Sequence, residues 1–135
     1  MPPVARYYDL SAANARLEEL RPLLRRLRDD RDAVARDQRE AEQLRSATGN
    51  GKHHHQLERQ QSSMVEIVER MESAVRQIDA WGITLRDIGS GLVDVPALAN
   101  GRPIWLCWKL GEDDIAWWHE LDAGIAGRKP LIELE

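Results

Sequence analysis

Two hydrophobic periods divide the chain, and the change between them falls at Gly82. Before it, apolar or seam positions recur at alternating three- and four-residue steps. They are Leu17, Leu20, Leu24, Leu27, Arg31, Val34, Gln38, Ala41 and Arg45, then Leu57, Gln61, Met64, Val68, Met71, Val75 and Ile78. That spacing holds one face of an α-helix towards a partner, as in a coiled-coil seam. It predicts a helix over 11–46 and a second over 55–81, with Ile67 and Ala74 broadening the second stripe. Arg31, Gln38 and Arg45 weaken the distal part of the first. The polar, glycine-bearing stretch 47–54 reads as the hairpin tip, with 47–52 as the most mobile internal segment, and so short a link makes the helices antiparallel neighbours. Ser11 is the expected N-cap, with Leu10 as the outer half of a hydrophobic staple. Pro22 is expected to kink or break the first helix near Leu20 and Arg21, because proline removes a helical hydrogen bond and crowds the preceding turn. Gly82 ends the second helix, supplying the left-handed residue past its last turn.

After Gly82 the apolar period falls to two, the repeat of a strand. Candidate strands cover 83–88, 92–97, 104–110 and 115–121, a three- to four-stranded antiparallel meander over 83–122 followed by a C-terminal tail at 123–135. Asn100-Gly101 is the strongest turn signal, since both residues tolerate the positive φ of a type I′ hairpin. Counting outward from it puts Val93, Val95 and Ala97 on one face with Ile104, Leu106, Trp108 and Leu110. Pairing Leu110 with Ile115 across the next turn adds Ile115, Trp117, His119 and Leu121 to that apolar face. Leu92, Asp94, Pro96, Trp105, Cys107, Lys109, Ala116, Trp118 and Glu120 then share the other. A helical turn over 96–98 is the alternative, and it would carry Asp94 towards His119. The fold class is α+β: a long antiparallel two-helix hairpin packed on a small antiparallel meander, in a single domain over 1–135.

Composition narrows the partners. The 19 basic and 23 acidic residues are interleaved and leave a net charge of −4, so neither nucleic acid nor an anionic membrane is an expected partner. Phe is absent and Trp occurs five times, so aromatic packing rests on indoles, whose N–H groups need acceptors when buried. A single cysteine forms no internal disulfide, no apolar run reaches the length of a spanning helix, and the first residues lack the apolar region of a secretory signal. A cytoplasmic location follows as the expectation.

The candidate chemistry is sparse. His119 interrupts the apolar face of the last strand; it is either a buried histidine satisfied by backbone or a carboxylate, or a general base or ligand oriented by Asp122 or Asp94. His119 and Asp122 fall on opposite sides of a regular strand, so they cooperate only if the strand ends or bulges at Leu121. His53, His54 and His55 have imidazoles that suit a divalent transition metal, but adjacent residues rarely converge on one ion, and an exposed helix start is the simpler reading. Gly124 and Gly127, followed by Arg128 and Lys129, suggest a backbone nest for an anion, or simply a loop. Cys107, flanked by tryptophans, reads as an inert small hydrophobe, since nothing in the sequence sets a cation beside it. No cofactor is expected.

The segments GLVDVPAL at 91–98, LCWKLGE at 106–112, WHELDAG at 118–124 and Gly127-Arg128, with YDLSAANA at 8–15 and LRPLL at 20–24, together resemble the bacterial and archaeal family DUF2203. The resemblance covers nearly the whole chain and supports its division into elements. It implies no catalytic residues, because the family is one of unknown function. Val95 and Ile125 stand where the family usually has phenylalanine, an apolar exchange.

Two functions follow as expectations. One is a non-enzymatic interaction or assembly module that acts through its helical hairpin and Trp-bearing sheet face, dimerises through the helices and binds a further protein. The other is a small-ligand-binding or metal-assisted hydrolytic protein with His119, Asp122, Asp94 and Arg128 around a polar site.

Overall fold

The computed structural model describes residues 7–47 and 54–133, and every structural statement here concerns those residues. The first helix, α1 (Leu10–Ala47), is started by Asp9 rather than Ser11. The Asp9 carboxylate accepts the Ala12 N–H at 2.7 Å, and its carbonyl accepts the Ala13 N–H at 2.9 Å. A carboxylate also suits the positive end of the helix dipole, which a serine does not exploit. Of the kink or break expected near Leu20 and Arg21, the break does not occur: α1 runs through Pro22 as one helix. Pro22 and Glu18 lie on the exposed face, so the Glu18 carbonyl that loses its donor is left to water.

The second helix, α2 (His54–Ala80), runs antiparallel to α1. Gln60 Nε2 donates to Glu40 at 3.0 Å, and Arg70 grips the buried Asp30 carboxylate with two bonds of 3.0 and 2.8 Å. Pairings 40 with 60 and 30 with 70 fix opposite chain directions. The segment between the helices, where the hairpin tip and its mobility were expected, lies at 48–53, outside the described residues.

Within α2 the seam differs from the heptad reading in one respect. Ala74 is buried and Ile67 half-buried, whereas Val68 and Val75 are exposed at 38% and 40%. The residues expected to broaden the stripe are thus the more buried, while two expected seam residues line a groove along the flank of the hairpin. Both sets obey helical spacing; which one faces α1 is set by helix rotation, to which a stripe this wide is indifferent.

Five strands follow: β1 (Thr84–Asp87), β2 (Leu92–Ala99), β3 (Arg102–Lys109), β4 (Trp117–His119) and β5 (Lys129–Pro130), antiparallel in that order. The fold is therefore α+β, with one strand more than expected, contributed by the tail. Asn100 at φ 54° and Gly101 at φ 79° make the positive-φ turn between β2 and β3. Val93 opposes Trp108, Val95 opposes Leu106 and Ala97 opposes Ile104, all buried. Leu17, Leu20, Leu24 and Leu27 of α1 and Ala74 and Ile78 of α2 belong to the same core. Tyr8 ties the lead-in to both layers, its N–H reaching the Pro96 carbonyl at 2.8 Å and its hydroxyl the Trp81 carbonyl at 2.6 Å.

The β3–β4 pairing departs from expectation. Trp105 opposes His119, Leu106 opposes Trp118 and Cys107 opposes Trp117, a register one residue away from the one that pairs Leu110 with Ile115. Trp118 therefore joins the core, while Trp117 and His119 turn to the outer face. Leu121, expected in the core, is exposed beyond the end of β4. Ile115 stays buried outside the ladder, its N–H held by Asn14 Oδ1 of α1 at 2.8 Å.

Candidate functional site

The outer face of the sheet is polar at its centre. Asp94 of β2 lies directly opposite Cys107 of β3, and the register that turns His119 outward brings it to the next strand on the same face. All three are buried, at 3%, 1% and 2% exposure. Their donor atoms lie within 4.8 Å of one another, the one such grouping of His, Cys, Asp or Glu ligands among the described residues.

The hydrogen bonds fix how these groups face. His119 Nδ1 lies 2.8 Å from the Glu120 carbonyl, which can only accept, so Nδ1 carries a proton. Nε2 lies 2.9 Å from Asp94 Oδ1, a second acceptor, so another proton sits between them. Asp94 Oδ2 accepts from Arg86 Nε at 2.8 Å. Behind Cys107, Arg128 makes a bidentate pair with Glu112 at 3.0 and 2.7 Å and donates to the Cys107 carbonyl at 3.2 Å. Burial pushes the Cys107 thiol up, and the Arg128 guanidinium pulls it only partly back. Burial also works to raise Glu112, but the Arg128 pair and the Lys109 N–H together hold its carboxyl below the usual range.

Two tryptophans flank this cluster. The Arg86 guanidinium lies 5.3 Å over the Trp105 ring and that of Arg128 lies 5.2 Å over Trp117, so each arginine both covers an indole and holds an acidic partner. The Trp-bearing face thus carries Trp105 and Trp117 rather than Trp105 and Trp118, and it is capped by cations.

Of the four residues expected around a polar site, Asp94 and His119 meet directly and Arg128 approaches through Cys107. Asp122 does not join them; it is exposed in the turn after β4. The 96–98 helical turn that was the alternative route to an Asp94–His119 contact is absent, since β2 continues through Pro96, Ala97 and Leu98. His54 and His55 are exposed at the start of α2 and both face Glu58, His54 Nε2 at 2.8 Å, while His53 lies outside the described residues. Gly124 and Gly127 do not take the left-handed backbone that a nest needs. The chain there forms a 3-10 turn, and Lys129 lies 5.1 Å over the Trp118 ring.

Arg86 and Glu112 escaped the sequence reading, as did a cation beside Cys107. One signal was available: Asp94 and Cys107 are equidistant from Asn100-Gly101, so a two-residue turn sets them face to face.

The described architecture is a two-helix hairpin on an antiparallel sheet with a buried Asp-Cys-His group on the face away from the helices. The chain belongs to DUF2203, a family of uncharacterized conserved proteins, whose sequence profile matches residues 6–131. No curated protein and no solved structure matches it. No helix among the described residues is long and apolar enough to cross a membrane.

Proposed function

We propose that this protein is a non-enzymatic assembly module that pairs with a second copy of itself through the helical hairpin and presents its arginine-capped tryptophan face to a further protein, in the cytoplasm. The observation that carries the reading is an apolar groove of 580 Å³ along the hairpin. Leu27, Val34 and Ala35 of α1 and Val68, Met71 and Val75 of α2 line it. Val65, at 57% exposure, lies about one helical turn before Val68 and extends the stripe towards the start of α2. A contiguous apolar patch on a helical pair is the surface that four-helix bundles bury. The rim favours a copy of the same chain. It holds Arg31, Arg76 and Glu72, charges of both signs that a second copy of the chain also carries.

Sedimentation equilibrium at micromolar concentrations tests this. The expected result is a dimer that Val68→Glu converts to a folded monomer, since Val68 is already partly exposed and a carboxylate there is solvated once the copies separate. A single species of monomer mass across the accessible range overturns the assembly reading.

A further inference from the structure

We infer that Asp94, Cys107 and His119 form a binding site for a divalent, zinc-class transition metal ion on the outer face of the sheet, through Asp94 Oδ1, Cys107 Sγ and His119 Nε2. The site is independent of the groove between the helices. It rests on three observations.

The first is the donor set. One thiolate, one imidazole and one carboxylate are the ligands that zinc and its neighbours share, and a thiolate selects against magnesium and calcium. Zinc–ligand bond lengths in a tetrahedron put nitrogen and oxygen ligands about 3.3 Å apart and a thiolate about 3.6 Å from either. The observed grouping within 4.8 Å, with Nε2 and Oδ1 at 2.9 Å, needs only small side-chain adjustments to reach that geometry. Asp94 and Cys107 sit on two long, directly paired strands, a rigid base for such a site.

The second is that the atoms not needed for the ion are already held. His119 Nδ1–H donates to the Glu120 carbonyl, which leaves Nε2 as the ligating nitrogen. Asp94 Oδ2 is bound by Arg86, which leaves Oδ1. The backbone carbonyl of Cys107 is bound by Arg128. Metal-binding histidines and carboxylates are oriented by outer contacts of this kind.

The third is charge. The cysteine thiolate and the Asp94 carboxylate supply two negative charges to one divalent ion, and binding expels the thiol proton and the proton between Nε2 and Oδ1 to solvent. The nearby arginines do not cancel this. Arg128 is neutralised by Glu112, and Arg86 is half-exposed, so solvent screens it. Three protein ligands leave the fourth tetrahedral position for a small donor such as water.

Cobalt(II) is the probe, because thiolate ligation to cobalt gives an intense near-ultraviolet charge-transfer band and Cys107 is the single cysteine. The reduced, chelator-stripped full chain is titrated with cobalt and then with zinc. The expected result is a band that saturates at one ion per chain and is bleached by zinc, with at least tenfold weaker binding in His119→Ala. Saturable cobalt binding without the band, or no saturation in large excess, overturns the site. So does an undiminished band in folded His119→Ala. The wild-type spectrum decides alone if that variant fails to fold.

Discussion

Removing the His119 ring is the sharpest test of how the buried group is held together, provided the measurement is made with chelator present. His119→Ala deletes a side chain that is 2% exposed, and lost packing around a truncated core residue of that size costs about 2 kcal/mol. It also strips Asp94 Oδ1 of its donor in a site closed to water, which adds about 1–3 kcal/mol. The sum, about 3–5 kcal/mol, agrees with the usual cost of removing one member of a buried pair. Asp94→Ala strips the buried His119 Nε2–H of its acceptor in turn, which costs about 1–3 kcal/mol, while the half-exposed Arg86 regains water and adds little. The decisive number is the coupling. Urea unfolding of the parent, both single variants and the double variant, at one protein concentration, gives it from midpoints and slopes. If the bond between Nε2 and Oδ1 is what joins the two residues, the double variant costs less than the sum of the singles by about 1.5–3 kcal/mol. Additivity within about 0.5 kcal/mol would refute the argument, as would a His119→Ala loss under about 1 kcal/mol.

Two further outcomes follow from the backbone and from one surface carboxylate. Gly91 has φ 66°, and a Cβ there would meet the Leu110 Cβ at 2.6 Å, whereas Gly101 has φ 79° and open space around it. Gly101→Ala should therefore cost about 1–2 kcal/mol for conformation alone, and Gly91→Ala about 1–3 kcal/mol more; equal losses in urea unfolding would contradict this. The Ser90 hydroxyl and N–H hold the exposed Asp87 carboxyl below its usual range, with Arg31 of α1 adding to the effect. Its stabilising contribution is full above the ordinary carboxylate pKa and disappears as pH falls through the lowered folded value, so Ser90→Ala should move the Asp87 titration upward in a carboxyl-carbon NMR experiment.

The helices and the β2–β3 hairpin were legible in the sequence for reasons that are local. Leu17, Leu20, Leu24 and Leu27 repeat with the helix, and Asn100-Gly101 admits the positive φ of a two-residue turn. Pairings read outward from that turn are right to the residue, from Ala97 with Ile104 to Val93 with Trp108. The rotation of α2 was not legible, because Ile67 and Ala74 compete with Val68 and Val75 for one seam and only packing against α1 separates them. The N-cap failed similarly. Asp9 and Ser11 both suit the position, and what favours Asp9 is a helix beginning one residue earlier than the apolar period suggests. Neither error moves a chemical group.

The register of β4 does. Residues 110–116 close β3 onto β4 with no glycine-asparagine pair to fix their count, and the polar run from Glu112 to Asp114 gives the alternation nothing to track. An even-membered turn would centre between Glu112 and Asp113 and send His119 into the core with Trp117. The observed pairing of Cys107 with Trp117 centres on Glu112 itself. Two contacts away from the ladder accompany that choice: the Trp108 indole donates to the Asp113 carbonyl at 2.7 Å, and α1 supplies Asn14 to hold the Ile115 N–H. Both tie the loop to the core before β4 begins, and the second comes from a residue 101 positions away, which no short-range pattern contains. A one-residue slip in a strand exchanges its two faces. Here it trades a buried histidine among leucines for one between a carboxylate and a thiol, so the chemistry of the outer face is set by how this loop is anchored to α1 rather than by any residue of the strand.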